Sequence, residues 1–469
     1  MVKFIARNNY SCSIEKLFSW HKADLALERL TPPWDKIKVT KKHSPNNTYI
    51  DSGEILLTQH VFPFVALNWK IMHKNYKENV LFEDFAIKSP FKSWSHKHIF
   101  NRLESNKTEL IDDIEFTPWL SLNHINNYIL SRLKRSFDYR ASILSHDLTM
   151  LDLNNSDYII VTGGTGNVGT HLIPHLNSIG YKILMLKYSK NSDNTFNPSH
   201  ETKNTNLTVI PWNPYSSKVL DLPVNISKNI KYLINLSGEN VLGLWTKQKK
   251  KDIQTSRIAA TKSLLEIIEK NKIKLNCSIH SSAIGIYGNE TKDGITENSP
   301  LGHGFLAETT KKWEIEQNSF NKYSERNINL RIGVVFLFNG GFLKPVKLPL
   351  KLGFGVYFGK DQNHISWIGI EDLSRIVSFL LKNKKISGPV NAVSPTPTTN
   401  KELFNILSQK FNTKFIIKVP SRVPRLLSKE LTDEILLANQ NVIPTKLIDS
   451  EFRYFTKNVS DALDNTFGF

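Results

Sequence analysis

A glycine-rich loop between an apolar strand and a helix restricts the fold of this chain more than any other feature. The apolar segment Tyr158–Thr162 runs directly into Gly163, Gly166 and Gly169, which are spaced GxxGxxG. Apolar residues at helical spacing follow over 168–179. Glycine permits a tight turn and lets the backbone approach a pyrophosphate, and the free N–H groups of the helix attract the phosphates. The loop therefore predicts a nucleotide-binding βαβ unit.

Apolar strands and helical repeats alternate through the rest of the chain. This alternation is typical of a doubly wound parallel sheet, so we expect an α/β Rossmann domain over 156–400. A small, largely helical module over 401–469 should pack on its substrate side. The predicted elements are strands at 158–162, 182–186, 231–236, 278–282 and 329–336, and helices at 168–179, 249–271 and 307–321.

The residues at the end of the second strand indicate which cofactor is bound. Proteins that bind NAD usually place an acidic side chain there to hold the ribose hydroxyls. This chain instead has Lys187-Tyr188-Ser189-Lys190, and its first acid is Asp193. A carboxylate would repel a 2′-phosphate and lysine attracts it, so we predict NADP(H) in preference to NAD(H). The predicted cofactor contacts are Gly163, Thr165, Gly166, Asn167, Val168, Gly169, Lys187, Ser237 and Gly238, although Ser237-Gly238 also fits an ordinary strand-to-helix turn.

Residues 1–150 differ in composition, with a single glycine at position 53 and many aromatic residues in alternating runs. Apolar residues at helical spacing over 122–144 predict a long helix with one apolar face. An antiparallel sheet packed on that helix is the simplest arrangement, and the polar segment 152–157 is typical of a linker. The predicted elements are a short helix at 13–20 and strands at 2–6, 49–57, 66–72, 80–87, 94–103 and 109–116.

His96 and His98 lie two residues apart on one of these strands, so both point to one face with Trp94. Two histidines at this spacing could begin a metal site, but the spacing shows no third ligand. Polar side chains that line a cavity or lie on the surface explain them as well. No metal site is predicted.

Several short segments occur in a fixed order along the second region. They include VTGGTGNVG (Val161–Gly169), INLSGENV (Ile234–Val241), SSAIGIYG (Ser281–Gly288) and the tail KELTDEILLANQNVIPTKL (Lys429–Leu447). In this order they resemble the atypical extended short-chain dehydrogenases called epimerase-family oxidoreductases, some of which are labelled cell-division inhibitor in bacteria. The resemblance implies a dinucleotide-dependent oxidoreductase or epimerase.

The first region carries a second resemblance, in FEDFAIKSPFKSWSHKHIF (Phe82–Phe100), TELIDDIEFTPW (Thr108–Trp119) and the final helix. These segments resemble the START-like, or polyketide-cyclase-like, helix-grip family (SRPBCC). The resemblance implies a hollow between sheet and helix that holds an apolar ligand. Fusion of such a domain to the epimerase-family domain also occurs among the proteins that the second region resembles.

The usual catalytic pair of short-chain dehydrogenases is absent. In that pair, Tyr-x-x-x-Lys, the lysine lowers the tyrosine pKa so that the hydroxyl can transfer a proton. No tyrosine here has lysine four residues later, and the corresponding segment begins at Phe305 and reaches Thr309. Ser282 and Tyr287, at and just after the end of a sheet strand, are the predicted substitutes. Glu308 and Lys312 could also act as acid or base, or form a surface pair.

Composition excludes several function classes. The net charge is +18, but the lysines are scattered and no zinc finger or RNA-binding signature accompanies them, so nucleic-acid binding is not predicted. No segment is apolar for long enough to span a membrane, no signal peptide is visible, and two distant cysteines favour the cytoplasm. We therefore predict an NADP(H)-dependent oxidoreductase or epimerase acting on a small or medium apolar carbonyl or hydroxyl compound. A non-catalytic NADP(H)-binding sensor, linked to cell division, is the alternative, and the oligomeric state stays open.

Overall fold

The computed structural model describes residues 1–44, 49–62, 65–120, 122–197, 206–290 and 294–469. It contains two seven-stranded sheets, one antiparallel and one parallel. We call residues 1–150 the N-terminal unit and the remainder the Rossmann unit.

The N-terminal unit is an antiparallel sheet packed against one long helix. Burial alternates along the first strand, because one face of the sheet meets the helix and the other meets solvent. The strand order is β1-β7-β6-β5-β4-β3-β2. Its elements are β1 (Val2–Tyr10), α1 (Ile14–His21), α2 (Ala26–Leu30), β2 (Ile37–His43), α3 (Tyr49–Ser52), β3 (Glu54–Phe62), β4 (Val65–Lys77), β5 (Leu81–Lys88), β6 (Ser93–Glu104), β7 (Lys107–Thr117) and α4 (Asn123–Met150).

The structure of this unit differs from the sequence-based prediction at two places. The segment 49–57 was predicted to be one strand, but Tyr49–Ser52 is a helical turn and β3 begins only at Glu54. The strand β2 was not predicted, because its sequence IKVTKKH carries apolar residues at only two positions. It lies at the edge of the sheet, where charged side chains remain in solvent.

The Rossmann unit has the predicted doubly wound parallel sheet, with strand order β10-β9-β8-β11-β12-β13-β18. Buried side chains of α5 and α10 pack on one face, and those of α7 pack on the other. The sheet and its helices are β8 (Tyr158–Thr162), α5 (Gly169–Ser178), β9 (Lys182–Tyr188), β10 (Leu207–Trp212), α6 (Val224–Ser227), β11 (Ile230–Asn235), α7 (Lys247–Lys270), β12 (Cys277–Ala283), α8 (Phe305–Gln317), β13 (Asn327–Ile332), α10 (Ile370–Lys382) and β18 (Gly388–Ala392).

The predicted strand 329–336 is divided at Gly333, where the chain leaves the main sheet. A Cβ at this position would lie 2.6 Å from the carbonyl oxygen of Ser366, so only glycine fits. The second half pairs instead with a short strand that follows Ser366. These smaller elements are β14 (Val334–Phe336), α9 (Leu343–Lys351), β15 (Phe354–Phe358), β16 (His364–Ile365) and β17 (Trp367–Gly369).

The C-terminal segment is joined to the Rossmann unit by strand pairing as well as by helix packing. Its only strand of more than two residues, β20 (Phe415–Val419), lies parallel to β15. The other elements are β19 (Thr398–Thr399), α11 (Asn400–Phe411), α12 (Arg422–Leu427), α13 (Lys429–Leu431), α14 (Thr445–Asp449) and α15 (Val459–Phe467).

A buried ion-pair cluster holds the two units together. The Arg29 guanidinium on α2 donates to both carboxylate oxygens of Asp147 on α4, at 2.8 and 2.9 Å. It also donates to both oxygens of Glu371 on α10, each at 2.7 Å. Glu371 accepts a further bond from Arg375, and His175 on α5 contacts Asp147. Since α5 and α10 belong to the Rossmann unit, these bonds cross the interface.

Arg29→Met should therefore lower the free energy of unfolding by about 3–5 kcal/mol, because it leaves two buried carboxylates with too little positive charge. The measurement is the midpoint of the first transition in guanidinium, followed by circular dichroism. Arg7→Met is the matched control. Arg7 is exposed and its pair with Glu109 is 3.4 Å long, so its loss should change stability by less than about 0.5 kcal/mol. Equal effects in both variants would contradict the assignment.

His280 gives this sheet a specific sensitivity to acid. It is fully buried in β12, and neither ring nitrogen has a hydrogen-bond partner among the described residues. Burial lowers the pKa of His280 to about 3. An unfolded histidine titrates at about 6.5, so between these values the unfolded chain binds a proton that the native state excludes.

His280→Leu should consequently reduce the loss of stability on acidification. In the native protein this residue contributes a loss of roughly 1.4 kcal/mol per pH unit as the pH falls below about 6. The check is urea unfolding of both proteins at pH 7, 6, 5 and 4. If the two stability curves stay parallel over that range, His280 is not the titrating group.

Candidate functional site

The glycine loop lies at the carboxyl end of β8 and leads into α5. Gly163 has a φ of +68°, and a Cβ there would lie 2.6 Å from the carbonyl oxygen of Leu236. A Cβ at Gly169 would lie 2.5 Å from the carbonyl oxygen of Gly163. Both glycines are therefore required by close backbone approach, one between loop and β11 and one between loop and helix.

The outer edge of the loop is open to solvent. Thr165, Gly166 and Asn167 are exposed, and the turn closes through a 3.0 Å bond from the Gly166 amide to the Gly163 carbonyl. Val168 is the last residue before α5, and the amides of Thr170 and His171 already donate to the carbonyls of Gly166 and Val168. The exposed loop at the N-terminus of α5 therefore forms a cradle that suits a dinucleotide pyrophosphate, close to the positive end of the helix dipole.

The end of β9 places the predicted selectivity residue beside this cradle, since β8 and β9 are neighbours in the sheet. Lys187 and Tyr188 are both exposed there. The first acid after the strand, Asp193, is in contact with Lys218 at 3.7 Å and accepts a hydrogen bond from Thr195. The carboxylate that follows the strand is thus already paired with a lysine and a hydroxyl.

The other side of the predicted cofactor site is formed by residues at and just after the end of β11. Asn235 is fully buried, and its side-chain oxygen accepts bonds from the Thr162 hydroxyl at 2.8 Å and from the Ser237 amide at 3.1 Å. The side-chain amide of Asn235 therefore holds the ends of β8 and β11 together beside the loop. Asn235 was not predicted from the sequence, although it directly precedes the Leu236-Ser237 turn.

Arg257 on α7 is a second residue at this site that was not predicted from the sequence. A Cβ at Gly238 would lie 3.1 Å from the guanidinium carbon, so glycine gives this side chain its space. Arg257 donates to the carbonyls of Ile253 and Glu239 and lies 5.0 Å over the ring of Trp313. Burial lowers the pKa of Arg257 to about 10, so this side of the site carries a cation at neutral pH.

Ser282 and Tyr287 lie in one buried hydrogen-bonded network. The Ser282 hydroxyl donates to Glu314 at 2.6 Å, and Glu314 forms a two-bond pair with Arg331. Arg331 donates to the Tyr287 hydroxyl at 2.7 Å, and that hydroxyl donates to Asn391 at 2.8 Å. Both predicted catalytic side chains are only 4% exposed, and their catalytic roles stay predictions.

The helix α8 begins where the usual catalytic pair would stand. The amides of Phe305 and Leu306 are capped by the Glu434 carboxylate, at 2.7 and 2.8 Å. The Phe305 ring contacts the ring of Trp245, and the ammonium of Lys250 lies 4.4 Å from the centroid of the Phe305 ring. The surface at the start of α8 is therefore aromatic, with a cation beside it.

The surface pair predicted on α8 differs by one residue. Glu308 is paired with Lys311 at 2.8 Å instead of Lys312. Thr309, which stands in place of the usual lysine, is buried and accepts a 3.1 Å bond from Gln254.

The N-terminal unit contains a second polar cluster. His96 and His98 are buried between the sheet and α4 and are not surface residues. A residue of a third metal-ligand type, Asp84, lies beside them on β5, where the spacing of the two histidines along one strand could not show it. The adjoining cavity measures about 20 Å³, which is room for about one water molecule, and charged side chains such as Arg140 line it.

Two protein-family models match parts of the Rossmann unit. The NAD dependent epimerase/dehydratase family matches residues 159–313, and the domain of unknown function DUF1731 matches residues 419–466. Epimerase family protein YfhF of Bacillus subtilis is 32% identical over 309 residues, which are 65% of this chain and 96% of that protein. The chain belongs to the epimerase family. The resemblance seen in the second region of the sequence is thereby confirmed.

Solved structures of epimerase-family proteins cover different parts of the chain. Human epimerase family protein SDR39U1, solved with NADPH, has a TM-score of 0.57 at 25% identity and covers 66% of this chain and 99% of its own. A nucleoside-diphosphate sugar epimerase from Corynebacterium glutamicum has a TM-score of 0.76 at 23% identity. It covers 99% of this chain and 90% of its own, so the whole two-unit fold recurs there. Within the described ranges, no helix has the length and apolarity needed to cross a bilayer.

Proposed function

We propose that this epimerase-family protein binds NADP(H) and acts as an oxidoreductase or epimerase on a small or medium apolar carbonyl or hydroxyl compound. The glycine cradle carries the proposal, because no side chain fits at Gly163 or Gly169 and residues 165–167 between them are exposed. The human relative solved with NADPH supports the same cofactor.

The exposed Lys187 supports NADP(H) over NAD(H). Its ammonium stands where a ribose-binding acid would be, and the nearest following acid, Asp193, is paired with Lys218. The loop amides and the Ser237-Gly238 turn would hold the rest of the dinucleotide. The bound nicotinamide would supply or accept a hydride.

An apolar substrate suits the surface at the start of α8. The segment after β11 exposes Leu242 and Leu244, and Trp245 packs on Phe305 at the start of α8. Burial of such surface by an apolar compound is favourable, whereas a highly charged compound would gain little from it.

Ser282 and Tyr287 are the groups that we propose to polarise the substrate oxygen. Arg331 supports the role of the tyrosine, since a guanidinium 2.7 Å from the hydroxyl would stabilise the phenolate left after proton donation. Burial outweighs this contact in the free protein and raises the pKa of Tyr287. The tyrosine therefore holds its proton at neutral pH until a substrate takes it.

The second candidate is a non-catalytic NADP(H) sensor, with the link to cell division that the family label carries. Phe305 and Thr309 favour it, because neither can replace the usual tyrosine and lysine in proton transfer. The closed hydrogen bonds of Ser282 and Tyr287 also favour it.

We further infer that the N-terminal unit is a START-like helix-grip domain. Its antiparallel sheet packed on the 28-residue helix α4 supports this assignment. An apolar ligand would have to displace side chains, because the cavity holds about 20 Å³ and is lined by polar groups such as His98 and Asp112. A cytoplasmic location is consistent with two free, buried cysteines, Cys12 and Cys277.

Calorimetric titration with NADPH and NADH tests the cofactor proposal. Gly166→Asp should abolish binding of both, because it places bulk and negative charge at the pyrophosphate. Lys187→Ala should weaken NADPH by about 1 kcal/mol, roughly fivefold, and leave NADH unchanged. Lys228→Ala is the matched control. Lys228 is exposed and lies just before β11, at the end of the strands opposite to the glycine loop.

The cofactor proposal fails if cofactor-free protein binds neither nucleotide. If Lys187→Ala weakens NADH as much as NADPH, the lysine does not select the 2′-phosphate.

Turnover tests the proposed proton donors. NADPH oxidation should be screened against aldehydes, ketones and quinones, and then repeated with Tyr287→Phe and Ser282→Ala. We expect kcat to fall by about 10²-fold or more while NADPH affinity stays constant, as for loss of a general acid. Unaltered kcat in both variants would remove these residues from the mechanism. NADPH binding without turnover of any compound would favour the sensor.

A further inference from the structure

Three histidines and two aspartates meet on the inner face of the N-terminal sheet. The strand register brings them together, since Asp84 on β5 pairs with His73 on β4 and with His96 on β6. On the next row, His98 pairs with Asp112 on β7. All but Asp84 are buried, and the side chain of Asp84 is 20% exposed, which leaves a route to solvent.

Two imidazole nitrogens converge on one carboxylate oxygen. Asp84 Oδ2 lies 3.7 Å from His96 Nδ1 and 3.4 Å from His98 Nε2. One ligand atom from each of the three residues falls within 4.8 Å of the others. Atoms that bind one ion at about 2.0–2.2 Å are themselves roughly 3–3.5 Å apart, so the spacing suits a shared ion.

The remaining ring nitrogens of His96 and His98 face a second carboxylate, and of these two nitrogens only that of His96 forms a hydrogen bond with it. His96 Nε2 and His98 Nδ1 lie 3.0 and 2.9 Å from the same oxygen, Asp112 Oδ1. His73 donates from Nδ1 to the Gly53 carbonyl at 3.2 Å and turns Nε2 toward Asp84 Oδ1 at 2.9 Å. Carboxylates and carbonyls that orient histidine in this way are the usual outer partners of metal ligands.

Asp84 and Asp112 bring two carboxylates against the rings, and the centroids of the His96 and His98 rings lie 3.8 Å apart. A divalent ion between His96, His98 and Asp84 would be bound by neutral imidazole nitrogens, and it would offset the negative charge of the two carboxylates. The Arg140 guanidinium lines the adjoining cavity and adds one positive charge nearby.

We propose that Asp84, His96 and His98 bind a divalent first-row transition metal ion, such as Zn²⁺ or Fe²⁺. Two imidazoles and one carboxylate are a ligand set suited to these ions. Asp112 and His73 orient the ligands. Three protein ligands leave coordination positions open, and the adjoining cavity has room for about one water molecule. The N-terminal unit thus has a metal centre of its own, separate from the dinucleotide cleft.

Cobalt binding to the full-length, tag-free protein tests this site after treatment with a chelator. Co²⁺ should bind at one ion per chain with visible absorption bands typical of nitrogen and oxygen ligands. Zn²⁺ should displace it and raise the melting temperature. Asp84→Asn and His98→Gln, which preserve size, should weaken Co²⁺ binding by more than about 100-fold, and Asp112→Asn by about 10–100-fold.

His43→Gln is the control, because His43 is an exposed histidine on the edge strand β2 and should leave cobalt binding unchanged. Circular dichroism shows whether each variant is folded. The proposal is overturned if the folded wild type binds neither Co²⁺ nor Zn²⁺, or if Asp84→Asn and His98→Gln bind Co²⁺ as tightly as the wild type. NADPH affinity is measured in parallel, so that failure here is distinguishable from failure of the cofactor proposal.

Discussion

The bonds between Arg29 and its two carboxylates are the constraint on which the arrangement of the two units depends. Desolvation of one guanidinium and two carboxylates is costly, and only their complete mutual pairing offsets it. Asp147 belongs to the long helix of the N-terminal unit and Glu371 to a helix of the Rossmann unit, so pairing is complete only when the units are docked. The interface is therefore specified by charge geometry as well as by apolar contact.

This docking reaches the helix that receives the cofactor. His175 lies on α5, six residues after the last glycine of the loop, and bridges Asp147 at 3.1 Å and Ser378 at 2.9 Å. The helix α2 also packs on α5. The start of α5 is fixed by Gly169 against the loop, and its middle is fixed by the N-terminal unit. The phosphate cradle is thus held from both sides, which favours preorganised binding.

The local sequence pattern was sufficient to predict much of the fold. The pairing of segments that are distant in sequence could not be predicted from it. The glycine loop and the parallel strands follow from apolar periodicity and turn residues, which act over a few positions. The break at Gly333 depends on Ser366, and the approach of Asp84 to His96 depends on how β5 pairs with β6. Asn235 was missed because its bond to Thr162 depends on the pairing of β8 with β11. Arg257 was missed because its position beside Gly238 depends on how α7 packs against the end of β11. The family motifs located Ser282 and Tyr287, but their hydrogen bonds to Glu314 and Asn391 became visible only in three dimensions.

The helix α4 connects the histidine cluster of the N-terminal unit to α5, the helix that begins at the dinucleotide cradle. Phe137 packs its ring on His96, and Arg140 lines the cavity beside His98 and Asp112. Two turns further along the same helix, Asp147 is bound by Arg29 and His175. The 28 residues of α4 form one continuous helix, whose backbone hydrogen bonds resist bending and so connect its two ends mechanically. A change in charge or ligation at the histidine cluster that shifts α4 would therefore displace Asp147 against α5, the helix that begins at the dinucleotide cradle.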